Sequence, residues 1–333
     1  MKPNRKKNLY TRPDIAWPTI SLFFISIFIS SLSILLGEGW LIPLKAFHYV
    51  GGSWVYWVLS TILGIFCILL STLTSYSQFT VCHDAIHRAI SKKYKFLNDV
   101  IGRISQFWLG PSSSWGAIRY NHLEHHAHTN DSKLDPDYWC SLKGPGGKYL
   151  TPLRWMFVDV SYFHMYFLRG LKHKSIQDQT LAYSYELVKL AGLVFAWQWG
   201  WMPFLLRYWI IPSRLALFAL AYAFDFLPHY PHNVTREKNR YKTTAYLYIP
   251  WILRPILSSL TFYQNYHIAH HLVSQVPFYE YKKVWEDMKG ELLDEGVIIR
   301  DILPKLIEER IVNILGDDEY QQLNKSKVDI KNE

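Results

Sequence analysis

Residues 18–36 carry no charge at all. Nineteen such residues in a helix extend about 28 Å, the thickness of a bilayer's hydrocarbon core, and predict a first membrane span. The following nine residues, "GEGWLIPLK", offer no small-residue cleavage site, so the segment reads as a retained span rather than a secretory leader. A second uncharged stretch covers residues 47–82. After a predicted break at Gly51 and Gly52 it holds one full span and runs directly into His83. Residues 88–179 are polar, aromatic and basic, with amphipathic pieces at 101–108 and 153–168 that predict helices lying at the interface. Apolar residues dominate again at 185–229, interrupted by Glu186, Lys189, Arg207 and Arg214, and predict a third and fourth span turning at 199–203. Beyond His229 the pattern is soluble or interfacial. The last fifty residues are charged with helical periodicity, and the lysine-containing stretch 318–333 reads as a disordered tail. The pattern as a whole reads as one domain over residues 1–333, with a core at about 16–290.

Composition sharpens this reading. Fourteen Trp and 23 Tyr are many for a soluble chain, and both residues favour the bilayer interface. The net charge of +9 fits either a nucleic-acid binder or a membrane protein with basic faces. Its distribution decides: residues 1–12 and 88–174 are rich in Lys and Arg, whereas 37–48 holds only Lys45. Basic residues that flank spans on one side place both termini and the long middle region in the cytosol and speak against a nucleic-acid stripe. Cys67, Cys82 and Cys140 make neither a disulfide framework nor a thiolate metal site.

The chemistry lies in the histidines. Of 14, eight fall in three groups: "HDAIH" with His83 and His87, "HLEHH" with His122, His125 and His126, and "HIAHH" with His267, His270 and His271. Offsets of three and four share a helix face, so each group is able to aim its ring nitrogens at a common point. By chance the HxxHH pattern is expected roughly 0.02 times in such a chain, and it occurs twice. With two spans before His83 and two between His126 and His229, every group reaches the same side of the membrane. Eight or nine neutral imidazoles exceed the four ligands of a structural zinc and suit two metals. Iron is the expected metal, because an iron pair with open positions reductively activates dioxygen and removes hydrogen from an unactivated carbon. For the ninth ligand "FDFLPHYPHN" offers His229 and His232. His229 is favoured because it lies nearer the span and sits four residues after Asp225, a candidate partner.

The three boxes, separated by a pair of spans, resemble those of the membrane fatty acid desaturase and hydroxylase superfamily over about residues 79–284. The resemblance implies an all-α integral membrane protein, with four transmembrane helices in two hairpins and a cytosolic helical cap carrying the histidine boxes. It also implies a non-haem di-iron centre of two iron ions, dioxygen as co-substrate and a lipid substrate. "HLEHHAHTNDSKLDPD", "FDFLPHYPH" and "NYHIAHHLVSQVPFY" look most like carotenoid ring hydroxylases and ketolases, and related acyl desaturases share much of this pattern. In such proteins a histidine after the fourth span completes the iron ligands, which strengthens His229. Asp225 stands where some acyl desaturases hold a water-linked asparagine, so that carry-over is partial. The resemblance also makes Asn130, Asp131, Asp135 and Asp137 partners of the ligands, although as bare sequence they form a turn-rich loop.

The chain departs from some members. It has no "HPGG" haem-carrier element, and "GPGG" at 144–147 lacks dinucleotide-site spacing. Electrons are therefore expected from a separate protein, a ferredoxin or a b-type cytochrome, on the basic face. His128 lies about 240° around a helix from His122 and is set aside, while His48, His164 and His173 read as ordinary. The expected reaction is desaturation or hydroxylation of an acyl chain or carotenoid, in the endoplasmic reticulum of a eukaryote or the inner membrane of a bacterium. A non-catalytic zinc-binding membrane receptor or transporter is the alternative from another class. It predicts zinc occupancy and, for a transporter, ionisable residues in mid-span.

Overall fold

The computed structural model describes residues 10–41 and 45–301. Helix α1 (Trp17–Gly37) begins with Pro18, whose missing N–H falls where a helix needs none. It runs antiparallel to α2 (Lys45–Ile86). Polar groups bridge this seam at successive levels. Thr19 Oγ1 donates to Asp84 at 2.7 Å, Gln78 Nε2 donates to Ser26 Oγ at 2.7 Å, and Ser33 and Ser71 share a hydrogen bond at 2.9 Å. Inside a bilayer such pairs satisfy groups that lipid leaves bare. The expected break at Gly51 and Gly52 does not occur, and α2 passes through both.

Short helices α3 (Lys95–Ser105) and α4 (Trp115–His128) follow, and the Ser114 hydroxyl caps α4 by accepting from Ala117 N–H. The expected helix over 153–168 is broken at Phe157 into α5 (Thr151–Met156) and α6 (Val158–Met165). α6 is held to the span behind it by a buried fork in which Arg214 Nη1 and Nη2 donate to Asp159 at 2.8 and 2.6 Å. α7 (Ile176–Gln198) turns at residues 199–201, with Gly200 at φ 75°, into α8 (Met202–Phe226).

α1, residues 54–86 of α2, and α8 are the three described helices long and apolar enough to cross a membrane. α7 is not among them. Glu186 and Lys189 sit in its middle, paired at 2.8 Å, and Lys189 Nζ also donates to the Pro111 and Ser113 carbonyls. α8 relaxes into π turns at Leu206–Ile210 and Ala221–Phe226, the second just before His229.

The C-terminal part contributes α9 (Arg254–Leu260), α10 (His267–Leu272) and α11 (Tyr281–Asp294). The fold is mostly helical, but a parallel pair, β1 (Ala245–Tyr248) with β2 (Ile298–Asp301), adds a small sheet that the helical periodicity did not announce. β1 is buried, and its Tyr246 ring stacks on Trp285 of α11 at 4.0 Å. The pair closes a core beneath α10 and, through Ala245 N–H donating to the Pro228 carbonyl, anchors the segment that carries His229. The expected disordered tail, 318–333, lies outside the described residues.

Candidate metal centre

Four separate stretches deliver the histidines: the end of α2, the last two turns of α4, the segment after α8, and α10. Nine imidazoles gather there in two groups. His83, His87, His122, His126 and His270 form one, and His125, His229, His267 and His271 the other, with ligand atoms inside each group within 4.8 Å of one another.

The division cuts through the sequence boxes. At 100° per residue an i+4 neighbour lies 40° to one side and an i+3 neighbour 60° to the other. So His122 and His126 turn to the first group while His125 turns to the second. In α10, His267 and His271 take the second group and His270 crosses to the first. The first box, His83 and His87, aims at one point, but each of the two HxxHH boxes is divided between both groups.

The Nε2 atoms have the spacing of ligands. His87 and His122 are 2.8 Å apart, His122 and His126 3.2 Å, His126 and His270 2.8 Å, and His270 and His83 3.1 Å. Metal–nitrogen bonds of 2.0–2.1 Å place neighbouring ligand nitrogens about 2.9–3.4 Å apart. Protons do not account for this chain of contacts. Each contact needs one N–H and one lone pair, yet the Nε2 atoms of His122, His126 and His270 each serve two contacts. A protonated nitrogen donates once and keeps no lone pair for its second neighbour, so no assignment satisfies all four contacts. A cation receiving five lone pairs does. In the second group His125, His271 and His267 are linked at 3.3 and 3.1 Å, and His229 Nε2 lies buried with no hydrogen-bond partner, its ring 4.7–5.1 Å from those three. The donor set fits two metal ions, one for each group.

Four of the opposite nitrogens are held by the protein, which fixes the orientation of those rings. His125 Nδ1 donates to Asp135 at 2.8 Å and lies 3.2 Å from Asp137. His229 Nδ1 donates to the Thr243 carbonyl at 3.2 Å, His267 Nδ1 to Gln264 at 2.7 Å and His270 Nδ1 to the Tyr281 hydroxyl oxygen at 3.1 Å. Burial keeps His122, His126, His229, His270 and His271 neutral, well below the usual imidazole range, and pushes His267 down to about 3. His125 is the exception. Burial opposes its charge, but the Asp135 and Asp137 carboxylates outweigh burial and raise it to about 9. Burial likewise raises Asp137 to about 6, against the pull of His125. Asp137 also accepts from the Tyr162 hydroxyl.

The expected partner residues divide. Asp135 and Asp137 touch His125 directly. Asn130 acts one step away, donating to the same Thr243 carbonyl that holds His229. Asp131 is not at the site and caps the Lys133 and Leu134 N–H groups in its own loop, because its short side chain accepts from the two following amides. Asp225 accepts from Cys140 Sγ at 3.6 Å and lines a narrow cavity with His122, His125 and His267, walled by Phe79, Ile86, Ile118 and Phe224. His232 stands outside both groups, its Nε2 donating to the Asp225 carbonyl. His128 points outward beside Glu124, and His164 is exposed. Sequence reasoning missed Thr243, Gln264 and Tyr281. Only Gln264, three residues before His267, carried a local signal.

The family profile for fatty acid desaturase matches residues 52–302. The chain belongs to the fatty acid desaturase family, and with its apolar helices and histidine site it is a membrane oxidoreductase. A sn-1 acyl-lipid omega-3 desaturase (ferredoxin) of Nostoc sp. (strain 36) is 25% identical, covering 68% of this chain and 67% of the relative. A zeaxanthin 4-ketolase of Chlamydomonas reinhardtii is 26% identical over 77% of this chain and 51% of its own length, and fatty acid desaturase 3 of Bos taurus is 25% identical over 72% and 57%. The chain thus spans between about half and two thirds of these curated relatives.

Proposed function

We propose that the protein is a dioxygen-dependent di-iron oxidoreductase that desaturates or hydroxylates a long-chain lipid, an acyl chain or a carotenoid, at an unactivated C–H bond. The five-plus-four division of nine Nε2 donors carries this reading, because it exceeds what one four-coordinate zinc takes up. When bound, the iron pair supplies reductive activation of dioxygen and abstraction of hydrogen from carbon. The chain's part is to hold the rings other than His125 neutral by burial, to fix the orientation of His125, His229, His267 and His270 through Asp135, Asp137, Thr243, Gln264 and Tyr281, and to keep water from the reacting carbon. Phe79, Ile86, Ile118 and Phe224 give the small cavity beside His122 and His267 one apolar side, against the polar Asp137, Tyr162 and Asp225, which suits contact with a hydrocarbon.

The same reading makes α7 the third span in chain order, its Glu186 and Lys189 neutralising each other as an ion pair, with the histidine-bearing helices forming a cytosolic cap and residues 16–290 one domain. His83, His87, His122, His125, His126, His229, His267, His270 and His271 are the proposed ligands. Relatives named for an acyl lipid and for zeaxanthin support both substrate classes, and the ferredoxin in one of those names supports a separate electron donor.

Lipid and pigment profiling of cells expressing the wild type and His126→Ala tests the assignment. The wild type is expected to introduce a double bond or hydroxyl only in the presence of oxygen, and the variant to introduce none. A product that survives the substitution, or purified protein holding stoichiometric zinc and no iron, overturns it.

A further inference from the structure

Residues 233–242, "NVTREKNRYK", run over the C-terminal end of α4 and hold four cations, Arg236, Lys238, Arg240 and Lys242, against one acid, Glu237. One backbone and one side-chain hydrogen bond fix the segment there: Arg236 N–H donates to the Thr129 carbonyl at 3.2 Å, and Asn130 Nδ2 donates to the Val234 carbonyl at 2.9 Å. Among the described residues none of the four cations is paired with a carboxylate, and Arg236 and Lys238 are exposed. The Arg236 guanidinium also reaches inward and donates through Nη1 to the backbone carbonyl of His126.

His126 makes the shortest ring contact between the two groups. Its Nε2 meets His122 and His270 of the first, and its ring stacks on His271 of the second at 4.4 Å. One exposed side chain is therefore a single hydrogen bond from the residue that touches both halves of the centre. Electron transfer slows exponentially with distance, so a carrier gains from docking where an exposed side chain bonds directly to a ligand residue. We infer that the 233–242 segment is the docking surface for an acidic electron-carrier protein and that electrons enter through Arg236 and His126. This rests on the reading above that electrons come from a separate protein. Unpaired cations over a buried redox site attract an acidic partner, raising its association rate in a salt-dependent way.

The test uses the full-length, iron-loaded protein in detergent, with Lys238→Glu/Lys242→Glu and, separately, Arg236→Met and Arg236→Lys. Oxidation of a reduced plant-type ferredoxin and of a reduced b-type cytochrome is followed by stopped flow. Reduction by dithionite, which needs no docking, is measured in parallel together with iron content. The double charge reversal is expected to raise KM for the better carrier on the order of tenfold and to flatten its salt dependence, with dithionite reduction and iron content unchanged. Arg236→Met is expected to slow transfer at saturating carrier, and Arg236→Lys to restore part of the rate. Unchanged KM and salt dependence in the charge reversal overturn the docking surface. Equal losses with carrier and dithionite, accompanied by loss of iron, overturn it in favour of a structural role. If wild type accepts electrons from dithionite but from neither carrier, the separate-carrier reading itself falls, and this inference with it.

Discussion

The imidazoles of His126 and His271 lie face to face, centroids 4.4 Å apart and planes inclined by 27°, across the seam between the two groups of nitrogens. One ring comes from the last turn of α4 and the other from α10, far along the chain. Removing His126 therefore disturbs both groups.

His126→Ala is expected to abolish product formation and to lower iron below two per chain, whereas His128→Ala, which alters only an outward contact with Glu124, leaves activity within about twofold of wild type. Product analysis and iron quantification on both variants check this contrast. Equal losses in the two would contradict the geometry.

Asp135 does more than hold His125. Its carboxylate also accepts from the Asn130 and Asp137 N–H groups, fixing the loop after α4. Asp135→Asn keeps the size of the side chain but removes the charge beside His125 Nδ1, and a loss of about 10–100-fold in metal affinity or activity is expected. Asp131→Asn, in the same loop but away from the rings, is expected to change little. Metal titration of the two proteins side by side decides the point.

The metal-free protein is expected to be acid-sensitive. His267 takes up a proton only at about 3 when folded, but near 6.5 when unfolded. Between those values the unfolded chain binds more protons, so stability rises with pH and is lost as pH falls from about 6.5 toward 3. His122, His126, His229, His270 and His271 are shifted in the same direction. His125, raised to about 9, acts oppositely: its contribution is present below about 6.5 and fades as pH climbs through 9. Thermal unfolding of chelator-treated protein in detergent should give a lower midpoint at pH 5 than at pH 7, and a midpoint unchanged or higher at pH 5 contradicts this.

Arg214→Ala leaves the Asp159 carboxylate buried without its fork and is expected to cost about 3–5 kcal/mol. A drop in thermal midpoint of the purified protein, with α6 becoming protease-accessible, is the measurement. Arg214→Lys restores a single contact and is expected to recover only part of the loss.

Much of the site was legible beforehand because its signal is local. A span leaves an uncharged run, and ligands on one helix leave offsets of three and four, so the sequence places "HDAIH" at a span end and "HLEHH" and "HIAHH" each on one side of a helix. His229 was separable from His232 by its nearness to the span, and the structure puts His229 among the second group and His232 outside it. Asp131 was not separable from Asp135, since both sit in one polar loop and only its folding shows which carboxylate reaches a ring.

Hydropathy and helical period act within a few turns, so they mark the apolar helices and the helix faces that carry ligand-type residues. How nine rings divide into five and four depends on packing. The 100° between adjacent residues sends His125 and His126 to different sides, and which side holds a partner depends on where α2, α10 and the segment after α8 come to rest. The carbonyl of Thr243 and the hydroxyl of Tyr281 reach His229 and His270 for the same reason: backbone and distant side chains leave no spacing in the sequence, and packing alone brings them within hydrogen-bonding distance.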